Sequence, residues 1–171
     1  MTKKITYFVI AILIQSLILA AVPAKKLYTL HTGQVVKLKT VPVDPYDFLS
    51  GYYVTLNYEI SVKSGQFKDG STVYTVITPD ANGIYNFKSI SDTWPKDLGS
   101  GDVVIKGKAV ENWRGNVQYG IESYFIPEDM RQSIEKRLRR DNRNVIIEVK
   151  VDKFGNSAIL RILIDGQAYE Y

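Results

Sequence analysis

A chain of 171 residues with 22 Lys and Arg against 18 Asp and Glu suits one domain of ordinary size plus a short appendage. Its 45% hydrophobic content supports a packed core and excludes disorder as the main state. The lack of Cys excludes disulfide scaffolds, thiol catalysis, iron–sulfur clusters and Cys-based zinc sites, and one His leaves no His-rich metal cage. No cofactor and no metal is expected.

The N-terminal segment is the first informative stretch. From Ile5 to Ala24 there is no charge, and Gln15 and Ser16 are its only strongly polar residues, with Lys3, Lys4, Lys25 and Lys26 at its flanks. About 20 apolar residues in a helix cross the ~30 Å hydrocarbon core of a bilayer. The segment reads as a single transmembrane helix. A cleaved signal peptide is the alternative, because Val22-Pro23-Ala24 offers small residues before Lys25. Its apolar core exceeds the ~7–15 residues usual for signal peptides, which favours the anchor. Gln15 at mid-span is costly against lipid, and either a partner helix accepts its amide or the single Gln is tolerated. With Lys at both ends the orientation is set by the short N-terminal tail, which places everything after the anchor outside the cytoplasm. The expected division is an anchor or signal segment over 1–26 and an extracytoplasmic β domain over 27–171. The location is then a bacterial inner membrane, single-pass, or the secreted fraction if the segment is cut.

Beyond Lys26, short β-branched and Tyr-rich runs alternate with Gly, Asp, Asn and Pro breakers. The expected strands are Leu27–His31, Val35–Val41, Tyr52–Ile60, Val73–Thr78, Ile84–Ser89, Val103–Trp113, Val117–Tyr124, Val145–Asp152 and Ser157–Ile164. Thr32-Gly33-Gln34, Arg114-Gly115-Asn116 and Lys153-Phe154-Gly155-Asn156 read as hairpin turns. Alternation places Tyr52, Val54, Leu56 and Tyr58 on one strand face, and Val145, Ile147, Val149 and Val151 on another. So many strands with short connections predict a mainly β fold, an antiparallel barrel or sandwich-like domain. One helix is expected in the C-terminal half, over Pro127–Arg140. Pro127 suits the first helical position, Glu128 and Asp129 the positive end of its dipole, and Met130, Ile134 and Leu138 form a stripe.

Residues that could carry chemistry are few. His31 is the sole candidate imidazole base, and neither a Gly-x-Ser-x-Gly elbow nor a glycine-rich phosphate loop occurs. Asp44 and Asp47 flank Pro45-Tyr46 and suit either a turn or a cation held with a carbonyl. With Glu122 they form the candidate polar site. A Ser–Lys dyad has no supporting motif. Charge is localised: six basic residues stand against Glu135 and Asp141 between Arg131 and Arg143, while the rest of the chain is balanced. Arg137, Arg139, Arg140 and Arg143 are therefore candidate contacts to an anionic surface, with a solvated helix end as the plainer reading. No nucleic acid partner is expected, since no aromatic–basic motif occurs.

The stretch Val41-Pro42-Val43-Asp44-Pro45-Tyr46-Asp47-Phe48-Leu49-Ser50-Gly51-Tyr52-Tyr53-Val54-Thr55-Leu56-Asn57-Tyr58-Glu59-Ile60 resembles the signature of the GDYXXLXY family. These are bacterial membrane-anchored proteins of uncharacterised function. Gly51, Tyr53, Leu56 and Tyr58 match the motif, whereas Tyr52 stands where the motif has Asp. Tyr119-Gly120-Ile121-Glu122-Ser123-Tyr124-Phe125-Ile126-Pro127-Glu128 and the ending Ile164-Asp165-Gly166 are similar to the family pattern as well. The resemblance implies one N-terminal anchor, an envelope location and a complex with a multi-span membrane protein. The residues by themselves make Leu56 and Tyr58 core positions, with the Tyr58 hydroxyl available to a partner. The expected function is a non-catalytic binding or accessory subunit of a membrane complex. An envelope hydrolase using Asp44, Asp47 or Glu122, and a lipid- or glycan-binding module, are the alternatives.

Overall fold

The computed structural model describes residues 2–41, 49–50, 53–61, 67–110, 117–125 and 145–169. A long helix α1 (Thr2–Thr32) leads into β1 (Gln34–Val41), β2 (Leu49–Ser50), β3 (Tyr53–Thr55), β4 (Asn57–Tyr58), β5 (Thr72–Pro79), β6 (Ile84–Ser91) and β7 (Val103–Ala109). Then follow β8 (Val117–Gln118), β9 (Ser123–Phe125), β10 (Val145–Val151), β11 (Ser157–Ile164) and β12 (Gln167–Tyr169). The helix expected at Pro127–Arg140 and the turn at Arg114-Gly115-Asn116 lie outside the described residues.

The fold is mainly β. The large sheet runs β12-β11-β10-β1-β6-β5-β7-β8, with β4 pairing the far end of β1, and β2-β3-β9 form a small second sheet. One pairing is parallel, β1 with β6 through Lys37 and Ile84, so the large sheet is mixed rather than wholly antiparallel. It does not close into the barrel that was one of the two expected forms, because β12 and β8 end it on opposite sides. It curls instead, far enough for the Lys106 N–H of β7 to donate to the Gly155 carbonyl at 2.8 Å in the β10–β11 turn. Inside the curl, Val36 and Leu38, Val73 and Ile77, Ile105, Ile147 and Val149, and Ile162 and Ile164 form one core. The alternation on β10 is as its sequence implies: Ile147, Val149 and Val151 are buried. Glu148, on the other face, is also buried, because the register sets Lys37 and Arg161 across from it, and the Arg161 guanidinium is bonded to it.

Four expected elements differ from what is found. Leu27–His31 is the last part of α1, not a strand, and Thr32-Gly33-Gln34 is a helix end, not a hairpin. A short run such as Leu27, Tyr28 and Leu30 does not distinguish the two periods, and local bonds favour the helix here. The Gly33 N–H donates to the Thr29 carbonyl at 2.9 Å, and the Thr32 hydroxyl donates to the Tyr28 carbonyl at 2.8 Å. Tyr52–Ile60 is divided at Leu56 into β3, which pairs with β2 and β9, and β4, which pairs with β1. Val117–Tyr124 is divided likewise into β8, which pairs with β7, and β9, which pairs with β3, and the Leu56 N–H bond to the Glu122 carbonyl at 2.8 Å continues the β3–β9 pairing up to the break. The turn at Lys153-Phe154-Gly155-Asn156 is present, with Gly155 at φ 78°.

Candidate functional site

Two structural features bring the noteworthy residues together: a clamp inside the core and a junction at the end of α1. The clamp joins the segment 56–60 to the segment 119–122. Leu56 and Tyr58 are both buried, and the Tyr58 hydroxyl donates to the Ile121 carbonyl at 2.6 Å. Tyr119 answers from the other side: its hydroxyl donates to the Ile60 carbonyl at 2.9 Å and accepts from the Thr75 hydroxyl at 3.0 Å. Burial, and after it the negative charge of Glu122, push the Tyr58 hydroxyl well above its ordinary range, so it stays a donor. Burial also raises Tyr119, more than the Thr75 bond lowers it. Both rings fill core volume while their polar ends satisfy buried carbonyls that would otherwise be orphaned.

Glu122 caps this clamp. One of its carboxylate oxygens accepts the Tyr119 N–H and the other accepts the Gly120 N–H at 2.9 Å. Its oxygens are thus engaged in holding a local turn. Asp44 and Asp47, the other members of the candidate polar site, lie outside the described residues, as do Gly51, Arg137, Arg139, Arg140 and Arg143. Tyr53 pairs in β3 with Phe125 of β9 and Ser50 of β2. His31 is exposed near the end of α1. Among the described residues no group of three or more His, Asp or Glu is gathered closely enough to hold a metal.

The junction is where α1 meets the sheet. The apolar stretch Lys4–Ala21 of α1 is wholly unburied, whereas Thr29, two turns further on, is buried. Its hydroxyl lies 2.8 Å from Asp152 Oδ2 and 3.1 Å from the Lys25 carbonyl. A hydroxyl has one proton, and the charge-assisted bond to Asp152 is the stronger use of it. Asp152 Oδ1 accepts the N–H groups of Phe154 and Asn156, and the Asn156 amide lies within 3.2 Å of both oxygens. Burial pushes the Asp152 carboxyl up, but the bonds from Asn156, Thr29 and the Phe154 backbone outweigh it and hold the group below its ordinary range. One residue before Val151, Lys150 donates to the Gly33 carbonyl at 2.9 Å. Gly33 is required by the close crossing: a Cβ there would sit 2.6 Å from the Thr29 carbonyl oxygen and 3.0 Å from the Val151 backbone. Helix and β10 are therefore joined by side chain, backbone and steric fit together.

On one side of this junction lies an aromatic ridge. The rings of Tyr28 and Phe154 are 6.3 Å apart, both exposed, and the Lys153 ammonium stands 5.1 Å above the Phe154 ring. On another side lies a cavity of about 440 Å³, lined by Lys25, Lys26, Lys106, Lys108, Tyr119 and Glu122 among others. The reading of the sequence did not single out these four lysines as a site. The available signal was Lys106-Gly107-Lys108 in β7, where alternation puts both cations on the face away from Ile105.

The family model described as GDYXXLXY protein matches residues 15–162. The chain belongs to that family. No curated protein and no solved structure matches it.

Proposed function

We propose that this member of the GDYXXLXY family is a membrane-anchored, non-catalytic binding or accessory module. Its N-terminal helix crosses the bilayer once, and the β domain sits against the extracytoplasmic membrane surface. The observation that carries this reading is the continuity of α1 from an unburied apolar stretch into a joint locked by Thr29, Asp152 and Gly33. Ile5, Phe8, Leu13, Leu17 and Leu19 are all exposed, and each large apolar side chain removed from water is worth roughly 1.5–3 kcal/mol. A bilayer supplies that cover to every face of the helix at once. The stretch Lys4–Ala21 is about 27 Å long, close to the ~30 Å of a hydrocarbon core. Tyr28, Lys153 and Phe154 then stand where aromatic and cationic side chains meet headgroups.

The domain acts as a rigid outer part whose height above the membrane is set by the joint, which suits a subunit presenting a surface to a neighbour in the same membrane. Gln15, exposed at mid-span, gives a second helix something to bond. For the hydrolase reading, Glu122 is spent on the Tyr119 and Gly120 N–H groups, and Asp44 and Asp47 lie outside the described residues.

The chain has no Cys, so a single nitroxide label is unambiguous. In the full chain reconstituted in bilayers, a label at Phe154→Cys is expected to be reached by oxygen dissolved in lipid. A label at Asn82→Cys, in the turn beyond the far end of β5, is expected to be reached by a water-soluble nickel relaxant. Equal aqueous access at both positions would overturn the docked arrangement.

A further inference from the structure

The cavity at the helix–sheet junction gathers cations that the fold does not use. Lys25 and Lys26 come from α1, and Lys106 and Lys108 come from β7. None of the four forms an ion pair among the described residues. Glu122 is the one acidic side chain in the lining, and its oxygens are taken by the Tyr119 and Gly120 N–H groups. Four lysines against one carboxylate leave the concavity with a net positive charge, and the ammonium groups that the fold gathers there repel one another. An arriving anion removes that cost. Thr72 and Gln118 add neutral hydrogen-bonding groups to the same wall.

Position narrows the source of the anion. Lys25 lies four residues past Ala21, where the apolar stretch ends, or about 6 Å along the helix axis. That is the depth of the headgroup layer, which adds about 5–8 Å to each side of the hydrocarbon core. The geometry points to this cavity as a binding site for the phosphate of an anionic phospholipid headgroup. Lysine ammonium groups suit phosphate as mobile point charges, and about 440 Å³ lies within the ~300–1,000 Å³ usual for small-ligand sites. This inference rests on the membrane-anchored reading and gives that module a specific lipid as a partner.

The test uses the full chain in neutral detergent, titrated with phosphatidylglycerol, phosphatidylcholine or soluble glycerol phosphate, and read by native mass spectrometry. Phosphatidylglycerol is expected to bind at least about tenfold more tightly than phosphatidylcholine, as a few lysines near an anionic headgroup allow. The double variant K106Q/K108Q should lose about tenfold in that affinity, while the charge-matched K39Q/K96Q keeps it. The thermal midpoint of K106Q/K108Q should be no lower than that of the unaltered chain, since neither ammonium forms an ion pair among the described residues and removing both relieves the repulsion at the cavity. Equal binding of the two lipids, or equal affinity of the two double variants, would overturn the site. Glycerol phosphate binding as tightly as phosphatidylglycerol would overturn the lipid as its source. Resistance to carbonate extraction, measured on the same protein in bilayers, separates the two levels. A chain that stays inserted but shows no lipid preference refutes this inference alone, whereas a chain that is extracted refutes the anchored reading beneath it.

Discussion

Tyr58 and Tyr119 bond across the core to each other's segments, and neither hydroxyl can be removed without orphaning a buried group. Tyr58→Phe keeps the ring but leaves the Ile121 carbonyl without its donor, a loss expected to cost about 1–3 kcal/mol. Leu56→Ala is expected to cost about 2–5 kcal/mol through the cavity it leaves, since Leu56 is 1% exposed. Denaturant midpoints of the full chain in detergent check both, and a change within error for Leu56→Ala would show that the motif segment does not pack as described. Asp152 makes stability depend on pH. Its carboxyl is held below the ordinary range in the folded chain, so its contribution is complete above about pH 4 and is lost as pH falls through the folded value. The thermal midpoint should therefore drop on acidification, and Asp152→Asn should lower it at neutral pH while flattening part of the acid slope. Asp80 and Asp102, held low by the Ile84 N–H and by Lys88 respectively, supply the part that remains. An unchanged acid slope in Asp152→Asn would contradict the role given to this carboxylate.

At the scale of elements, the joint between α1 and β10 is the feature most sensitive to one atom. Gly33→Ala places a methyl group 2.6 Å from the Thr29 carbonyl oxygen, so the helix end or β10 must shift. Overpacking of this kind is expected to cost about 1–3 kcal/mol and to expose Thr29. Faster amide exchange at Thr29 and Gly33 would report it, and unchanged protection would contradict the tight crossing. The strands β5, β6, β10 and β11 were legible because β-branched and aromatic runs lie between turn residues, and those signals are local. The end of α1 was not, because Leu27, Tyr28 and Leu30 are compatible with either period until Asp152, more than a hundred positions away, takes the Thr29 hydroxyl. The break at Leu56 has the same origin, since the chain there changes partner from β9 to β1, both on distant segments. β2 and β12 are too short to show a pattern and exist through their pairings. Leu56 and Tyr58 were legible as core residues from alternation alone. The lysine cavity was not, because Lys25, Lys26, Lys106 and Lys108 each resemble ordinary solvated charges until the fold gathers them at one concavity.

For the whole molecule, one physical arrangement connects these parts: an apolar helix with no cover of its own runs without interruption into a domain that grips its last turns. Pro23 removes one helical bond, yet the helix continues through it, because Thr29, Gly33 and β10 hold the segment that follows. The lysine cavity at Lys25 and the aromatic ridge at Tyr28 both follow within about two helical turns of the end of the apolar stretch of α1. The distribution and intact mass of the protein in fractionated cells after carbonate washing test this arrangement most directly. The account predicts that the species staying with the membranes keeps the apolar segment before Lys25. A shorter species beginning at Lys25 in the soluble fraction would contradict it.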